Sequence, residues 1–408
     1  MATTRPGELL IYDYRPPSPN NPENVKSLKI LQWNVERNYE SEAIIETIKS
    51  LDPDVAVLQE IDIGCRRSAN RNHMKELCEQ LRMKGGFVCE FQELESPLRQ
   101  PRDEGGGIHG NAILSKFDIE FRVLHHRYHG YDWDNNGDLL REPRKGRRYT
   151  LASVVRAPHL PPILCYCVHL EVFAGITDRI AAFSEIFHDA SLHKNDIPHQ
   201  LIFGDLNTMA HSIARLSLKY ARDRYRFLSL GETESEWWDK RVLSFHEDDG
   251  PVNTRLSAWH WLPSSWILKW PKIFTGLPMG VLKMARNPGF YDPWDPNAVT
   301  LENPMYFGLF KAKLDWTLVR CFDVMARWRG NQDYKASDHV YLMVEVVPDD
   351  KAQIEEEGYA LWRDRRRRWR KVASWRQQQH QQNKLFLLAL TVGLALLLLF
   401  LFTLHALY

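Results

Sequence analysis

The sequence predicts an α/β domain, with helices covering its sheets, followed by one membrane-spanning helix. Three observations carry that expectation. Short apolar runs alternate with helical patterns from about Leu28 to Val347, and helices set between strands call for sheets with covered faces. Several of those runs end in an acid, an amide or an imidazole. Residues 385–404, LFLLALTVGLALLLLFLFTL, contain neither charge nor proline.

Composition limits the alternatives. The 408 residues suffice for one large domain or two small ones, and 44% hydrophobic with 12% aromatic content fits a packed globular chain. The net charge of +1 hides an asymmetry. From Lys351 onward there are ten basic and four acidic residues, a surplus of six, which leaves the first 350 residues at −5. A body with that balance is not a general polyanion binder, whose footprint is a basic surplus. Cys65, Cys78, Cys89, Cys165, Cys167 and Cys321 have no metal-like spacing. Cys165 and Cys167 share one face of a strand and read, with the others, as buried free thiols. Residues 1–25 lack the apolar core of a secretory signal, so the body is expected in a reducing compartment.

Residues 1–26, rich in Pro and Asn, read as a flexible arm. Strands are expected at Leu28–Asn34, Asp54–Glu60, Asn111–Ser115, Tyr149–Arg156, Ile163–His169, Gln200–Asp205, Leu314–Val319 and Val340–Val347, each rich in Val, Ile, Leu or aromatics. Helices are expected at Glu42–Leu51, His73–Met83, Thr177–Leu192 and His211–Tyr220. The first repeats Ile44, Ile45, Ile48 and Leu51 on one face, and Asp52-Pro53-Asp54 ends it. The folded body is thus 27–349, interrupted by a Trp- and Pro-rich insertion at about 250–310. Seven of the fourteen tryptophans fall in Trp237–Trp294. They suit either a loop dipping into lipid headgroups or an aromatic cluster that packs the insertion onto the body.

Residues 350–384 form a basic juxtamembrane linker or helix, with Arg363–Lys371 as its cluster. Twenty apolar residues at about 1.5 Å each cover roughly 30 Å, a bilayer's hydrocarbon thickness. Positive charge beside the Leu385–Leu404 span places the body on the cytoplasmic side of a tail-anchored protein, and it can also attract anionic lipid.

The strand ends carry the chemistry. Asn34 closes LQWN, Glu60 closes VAVLQE, His169 closes CYCVH, and Asp205 and Asn207 follow LIFG. Asp315 lies in LDWTLV, and Asp338-His339 opens the last strand. Taken singly, an acid after a strand is usually a turn former. Together they are a set: Glu60, Asp205, Asp338, Asn34 and Asn207 are hard oxygen donors of the kind Mg²⁺ prefers, and no Cys joins them. His169 and His339 supply proton transfer near neutral pH. The flexible turn Glu104–Asn111 could bring His109 and Asn111 to the substrate, and Arg147 and Arg148 could bind phosphate, although such basic runs are commonly solvated turns. Arg179 either leans into the site or forms a pair on the helix surface.

The ordered motifs QWNV, LQE, GNAILSK, VHL, GDLN, LDW and SDH resemble the endonuclease/exonuclease/phosphatase superfamily, the fold of pancreatic deoxyribonuclease, over about residues 28–348. The resemblance implies a four-layer α/β sandwich with two central, mostly antiparallel sheets and the site at one end. The strand pattern alone leaves a doubly wound parallel sheet open. By motif, Glu60 is similar to the family's principal Mg²⁺ ligand (Mn²⁺ being the substitute), with Asn34 beside it and Asp338 helping to hold metal or water. Asp205 and Asn207 would position water and the scissile phosphate, and Asp315 would pair with His339. His169 matches the histidine of the deoxyribonuclease, sphingomyelinase and inositol-phosphatase branches. In that reading each histidine is oriented by a carboxylate, and the base is Asp205 or His339. The expected function is a membrane-anchored, Mg²⁺-dependent phosphoester hydrolase for a lipid headgroup or small phosphodiester. The alternatives are a tethered nuclease acting on nucleic acid, and an inactive adaptor on the same fold.

Overall fold

The computed structural model describes residues 4–17, 25–209, 233–244, 286–302 and 310–349. The chain divides into two units, 1–349 and 350–408. The second lies wholly outside the described residues, and with it the basic run and the 385–404 span. The helix expected at His211–Tyr220 and the run Trp259–Trp270 also lie outside them. Among the described residues no helix is long and apolar enough to cross a membrane.

In chain order the strands of the first unit are β1 (Leu9–Asp13), β2 (Leu28–Asn34), β3 (Val55–Ile63), β4 (Lys84–Glu93), β5 (Ile108–Ser115), β6 (Asp118–His125), β7 (Arg144–Gly146) and β8 (Tyr149–Arg156). They continue as β9 (Ile163–His169), β10 (Gln200–Asp205), β11 (Leu301–Glu302), β12 (Lys311–Ala312), β13 (Asp315–Arg320), β14 (Phe322–Gly330) and β15 (Tyr341–Pro348). The helices are α1 (Ser41–Leu51), α2 (His73–Leu81), α3 (Trp133–Asn136), α4 (Ile176–His193) and α5 (Glu234–Trp238). An eight-stranded sheet runs β1-β4-β5-β3-β2-β15-β14 with β7 added to β4, and a five-stranded sheet runs β13-β10-β9-β8-β6.

Side-chain alternation along these strands builds four layers. Leu28, Ile30, Val55 and Val57 of the large sheet join Cys165, Cys167, Leu201 and Phe203 of the small sheet in one apolar layer. The opposite faces pack on helices. Leu31, Trp33, Ala56 and Leu58 meet Ile44, Ile48, Met74 and Leu77 of α1 and α2. Tyr166, Ile202 and Leu318 meet Ile180, Phe183, Phe187 and Trp238 of α4 and α5. The expected shared face of Cys165 and Cys167 is therefore the one between the sheets, and both thiols are free and buried.

Most neighbouring strands are antiparallel. The parallel pairs are β2–β3 and β9–β10, each joined by a crossover through a helix, α1 and α4 respectively. A doubly wound parallel sheet is thereby set aside. Helix α1 ends where Asp52 takes a left-handed conformation (φ 47°) and its N–H closes on Ile48 O, one residue before Pro53.

Several elements depart from expectation. Leu9–Asp13, in the stretch read as a flexible arm, is the edge strand beside β4, and its main chain pairs from Leu9–Val88 to Asp13–Lys84. Strand β4 escapes the apolar pattern because Gly85, Gly86 and the buried acids Glu90 and Glu93 interrupt it. Strand β14 escapes because it is a half-exposed edge with solvent-facing Met325 and Trp328. Within the insertion, residues 286–302 pack onto the body: Asn287 Nδ2 donates to Leu243 O at 2.8 Å, and Phe290 is fully buried. Trp237 and Trp238 are buried as well, so these tryptophans serve the packing role.

Candidate active site

The parallel pairing of β9 with β10 sets His169 opposite Asp205, and the antiparallel pairing of β10 with β13 sets Asp205 opposite Asp315. Cross-strand partners share a face, so one row of three adjacent strands presents an imidazole and two carboxylates to the large sheet. Close approach of β9 and β10 depends on Gly204, where a Cβ would lie 1.9 Å from Val168 O.

The large sheet answers with β2 and β3. A bulge shifts the β3–β5 register between Leu58 and Ile61, and Glu60 sits in it with φ 62°. Bulges re-aim side chains, and this one turns Glu60 towards the site, its N–H donating to Asn111 Oδ1 at 3.4 Å. Asn34 Nδ2 then donates to both Glu60 Oε1 and Asp205 Oδ2 at 3.2 Å. The SDH turn is pinned on top: Ser337 Oγ donates to Asn34 O at 2.7 Å, and Trp33 Nε1 to His339 O at 3.0 Å.

His339 Nδ1 is 2.8 Å from Asp315 Oδ2, while Nε2 is 3.9 Å from Asp205 Oδ2 and 3.8 Å from Asp338 Oδ1. Burial works against its charge, but Asp315 and then Asp338 overcome that and hold the imidazole well above the ordinary histidine value. Burial and then Asp315 push Asp205 up to about 6. Gln32 Nε2 supports Asp315 at 2.9 Å from across the sheets. Gln32 is a positioning residue that the sequence reading passed over, although a buried Gln inside an apolar strand was its signal.

His169 differs from expectation. Its Nδ1 faces no carboxylate; Arg148 Nη1 lies 2.9 Å away. Burial and then the Arg148 guanidinium keep this imidazole well below the usual value. Nε2 points between Asp205 Oδ2 (3.7 Å) and Glu60 Oε1 (3.9 Å). Arg148 thus belongs to the site, whereas Arg147 is exposed and its Nη1 meets His129 Nε2 at 3.2 Å. The two arginines instead border a cleft with His129, Tyr131, Leu170 and Glu171.

His109 is buried beneath Glu60, its Nδ1 2.8 Å from Asp62 Oδ1, and Arg67 pairs with the same Asp62 at 2.7 Å. Asn111 Nδ2 is buried and has no hydrogen-bond partner among the described residues. Asn207 (φ 50°) donates its N–H to Asp205 Oδ1 at 2.8 Å and its Nδ2 to Leu170 O at 2.9 Å. Its backbone thus braces Asp205, and Leu170 takes one of the two side-chain amide hydrogens. Arg179 is neither in the site nor on the surface: it is buried against Glu234 at 2.8 Å.

The residues fit a divalent cation. Glu36, missed in the sequence because no strand pattern carries it, takes a hydrogen bond from Asp338 N at 2.9 Å and pairs with Arg102. Burial and then the Asp338 carboxylate push Glu36 up to about 7. Asp338 is raised by burial against the pull of His339, with Glu60 and Asp205 adding to the rise. Carboxylates that raise one another in this way are short of positive charge, and their oxygens, with the Asn34 amide, are hard donors. Glu60 itself stays below the usual range: burial opposes this, but His109 and then Arg37 outweigh it. Asp205, Asp315 and His339 also offer atoms within 4.8 Å of one another. The oxygens of Asp315 and Asp205 each take a hydrogen bond there, which makes the cluster a relay and leaves each oxygen a second lone pair for a cation.

The endonuclease/exonuclease/phosphatase family matches residues 31–341, which run from the middle of β2 to the start of β15 and enclose every site residue named above. The chain belongs to this family.

Family members hydrolyse phosphoesters, typically with a divalent metal, and this chain is a phosphoester hydrolase. Among solved structures it is similar to an endonuclease/exonuclease/phosphatase from Beutenbergia cavernae, with 17% identity over 79% of this chain and 72% of that one and a TM-score of 0.48. It is similar also to the human Nocturnin catalytic domain with bound sulfate, with 14% identity over 84% and 100% and a TM-score of 0.41. A third is ANGEL2, a 2',3'-cyclic phosphatase, with 14% identity over 80% and 99% and a TM-score of 0.43. No curated protein sequence matches.

Proposed function

We propose that the protein is a membrane-anchored, Mg²⁺-using phosphoesterase whose substrate is a phosphoester presented at a lipid surface, a headgroup phosphodiester or monoester. The observation behind the chemistry is the bridge made by Asn34, which ties Glu60 to Asp205 and so joins three distant segments at one point. The uncharged run 385–404 and the net −5 body support the membrane and the lipid in preference to nucleic acid. An anchor raises the effective concentration of a substrate in the same membrane.

Glu60, Asn34, Asp338 and Glu36 would hold the cation. Bound there, a divalent cation supplies charge neutralisation at a non-bridging oxygen and at the leaving oxygen. Asp205 stands at the centre, its Oδ2 facing Asn34, His169 and His339. A water held by Asp205 loses its proton to that carboxylate as its oxygen bonds to phosphorus. The P–O bond to the leaving alcohol then breaks in line. His339, backed by Asp315, carries positive charge against the phosphoryl oxygens and returns a proton to the leaving oxygen. Asn111 Nδ2, without a hydrogen-bond partner among the described residues, and the His169 Nε2–H complete the phosphate cradle.

The test is a substrate panel with the full chain in mixed micelles: sphingomyelin, inositol phospholipid, single-stranded DNA and RNA, each with Mg²⁺ and with EDTA. Turnover of a lipid with little salt dependence is expected. Turnover confined to DNA or RNA, falling steeply with salt, points to the tethered nuclease. Deleting 385–408 is expected to move the protein to the soluble fraction; retention on membranes rejects this span as the anchor.

A further inference from the structure

We propose that Arg148 is a positioning residue that fixes the tautomer of His169 and makes its Nε2–H a permanent donor towards a phosphoryl oxygen. The proposal rests on the hydrolase reading above and specifies how one member of the site is held.

A guanidinium has five N–H donors and no acceptor. With Arg148 Nη1 at 2.9 Å from His169 Nδ1, the hydrogen bond runs in one direction only, and Nδ1 must keep its lone pair for it. The ring proton is therefore on Nε2. Arg148 is itself fastened. Nη1 donates its other hydrogen to Glu90 Oε2 at 2.7 Å, Nε lies 3.6 Å from Glu171 Oε2, and the guanidinium sits 5.1 Å from the centroid of the Phe91 ring. Glu90 is fixed in turn by the Tyr149 N–H at 3.2 Å. The side chain of Arg148 is 11% exposed and is held on these partners.

On the far side of the ring, Nε2 is 3.7 Å from Asp205 Oδ2 and 3.9 Å from Glu60 Oε1. Both are acceptors, and both stand beyond hydrogen-bond reach. A fixed donor held between two acceptors that it does not bond has space for one incoming oxygen. His339 is built the opposite way. A carboxylate accepts from its Nδ1 at 2.8 Å, so Nε2 is the ring nitrogen that exchanges a proton. One imidazole shuttles protons and the other only donates, a division set by what stands behind each ring.

Nitrogen-15 spectra of the full chain in micelles, with labelled histidine and His169→Gln for assignment, read the tautomer directly. Nδ1 of His169 is expected at the unprotonated position and Nε2 at the protonated one; a proton on Nδ1, or averaging between tautomers, overturns the proposal. This readout needs no substrate. Failure of the parent protein to cleave bis(p-nitrophenyl) phosphate with Mg²⁺ would instead count against the hydrolase reading. With that diester, Arg148→Met should lower kcat roughly 10²-fold, the loss typical of one removed donor, with KM within about threefold. Combined with His169→Gln it should cost nothing beyond His169→Gln alone, and multiplying losses reject the proposal. Arg148→Lys, still a donor without an acceptor, should recover most of kcat. Since Arg148→Met strands a buried Glu90, the pair Arg148→Met with Glu90→Gln supplies a folded background for the same comparison.

Discussion

Along the large sheet the site-facing groups are Asn34, Glu60 and Asn111, oxygen- and amide-bearing side chains around a carboxylate that stays ionised. Along the small sheet they are His169, Asp205 and Asp315, with His339 reaching over from the loop before β15. The first half is suited to holding a cation and the second to moving protons. Each half lies on the inward face of its own sheet, mostly on interior strands, and the Asn34 amide is the seam between them. The difference teaches that the packing of the two sheets is itself a catalytic requirement: neither half faces a substrate without the other.

The largest expected effect comes from the cation-holding half. Glu60→Gln should lower kcat by about 10³-fold or more and shift the Mg²⁺ requirement upward, read by turnover across a Mg²⁺ titration. An unchanged Mg²⁺ midpoint would erase the distinction between the halves. In the proton-moving half, Asp315→Asn should cost roughly 10²-fold in kcat by removing the carboxylate behind His339, with the Mg²⁺ midpoint unmoved. A shifted midpoint would show that the relay also holds metal.

Gly204→Ala attacks the row of the small sheet alone. Its Cβ has to displace the β9 backbone, so a loss of about 3 kcal/mol is expected in denaturant unfolding. Wild-type stability in that variant would mean that β9 and β10 can part without harm.

The smallest effect belongs to the ion lattice under Glu60. Arg37 binds Asp103 at 2.8 Å and Glu142 at 2.9 Å, and Arg144 also pairs with Glu142. Burial would raise Glu142, but Arg144 and then Arg37 bring it down to about 2. A depressed folded-state pKa stabilises above the unfolded value, near 4.5, and that stability is lost as pH falls towards 2. The contribution is on the order of 2–3 kcal/mol. Glu142→Gln should therefore be less stable than the parent at pH 6 and approach it only near pH 2 in urea melts. A constant gap would detach the lattice from acid sensitivity.

Much of this was legible because strand ends and site residues coincide. Asn34, Glu60, His169 and Asp205 each close an apolar run in the sequence, and all four converge. Glu36 and Arg148 were harder to see in their roles. Glu36 lies in a tight left-handed turn (φ 43°) where no periodicity applies. Arg148 meets His169 only because β8 lies beside β9, a pairing the run of basic residues does not announce. The expectation that a carboxylate stands behind both histidines failed for the same reason. It inferred partners from chemistry, while the partner of His169 is set by strand order. The arm went unread because β1 owes its place to main-chain pairing with β4, not to an apolar face of its own.

Strand β15 comes after every other strand of the body, yet it lies between β2 and β14, in the interior of the large sheet, and its leading turn carries His339. During synthesis, then, an open gap beside β2 persists until residue 348 has left the ribosome. A chain that stops before this turn lacks both the strand that joins β2 to β14 and the His339 of the relay.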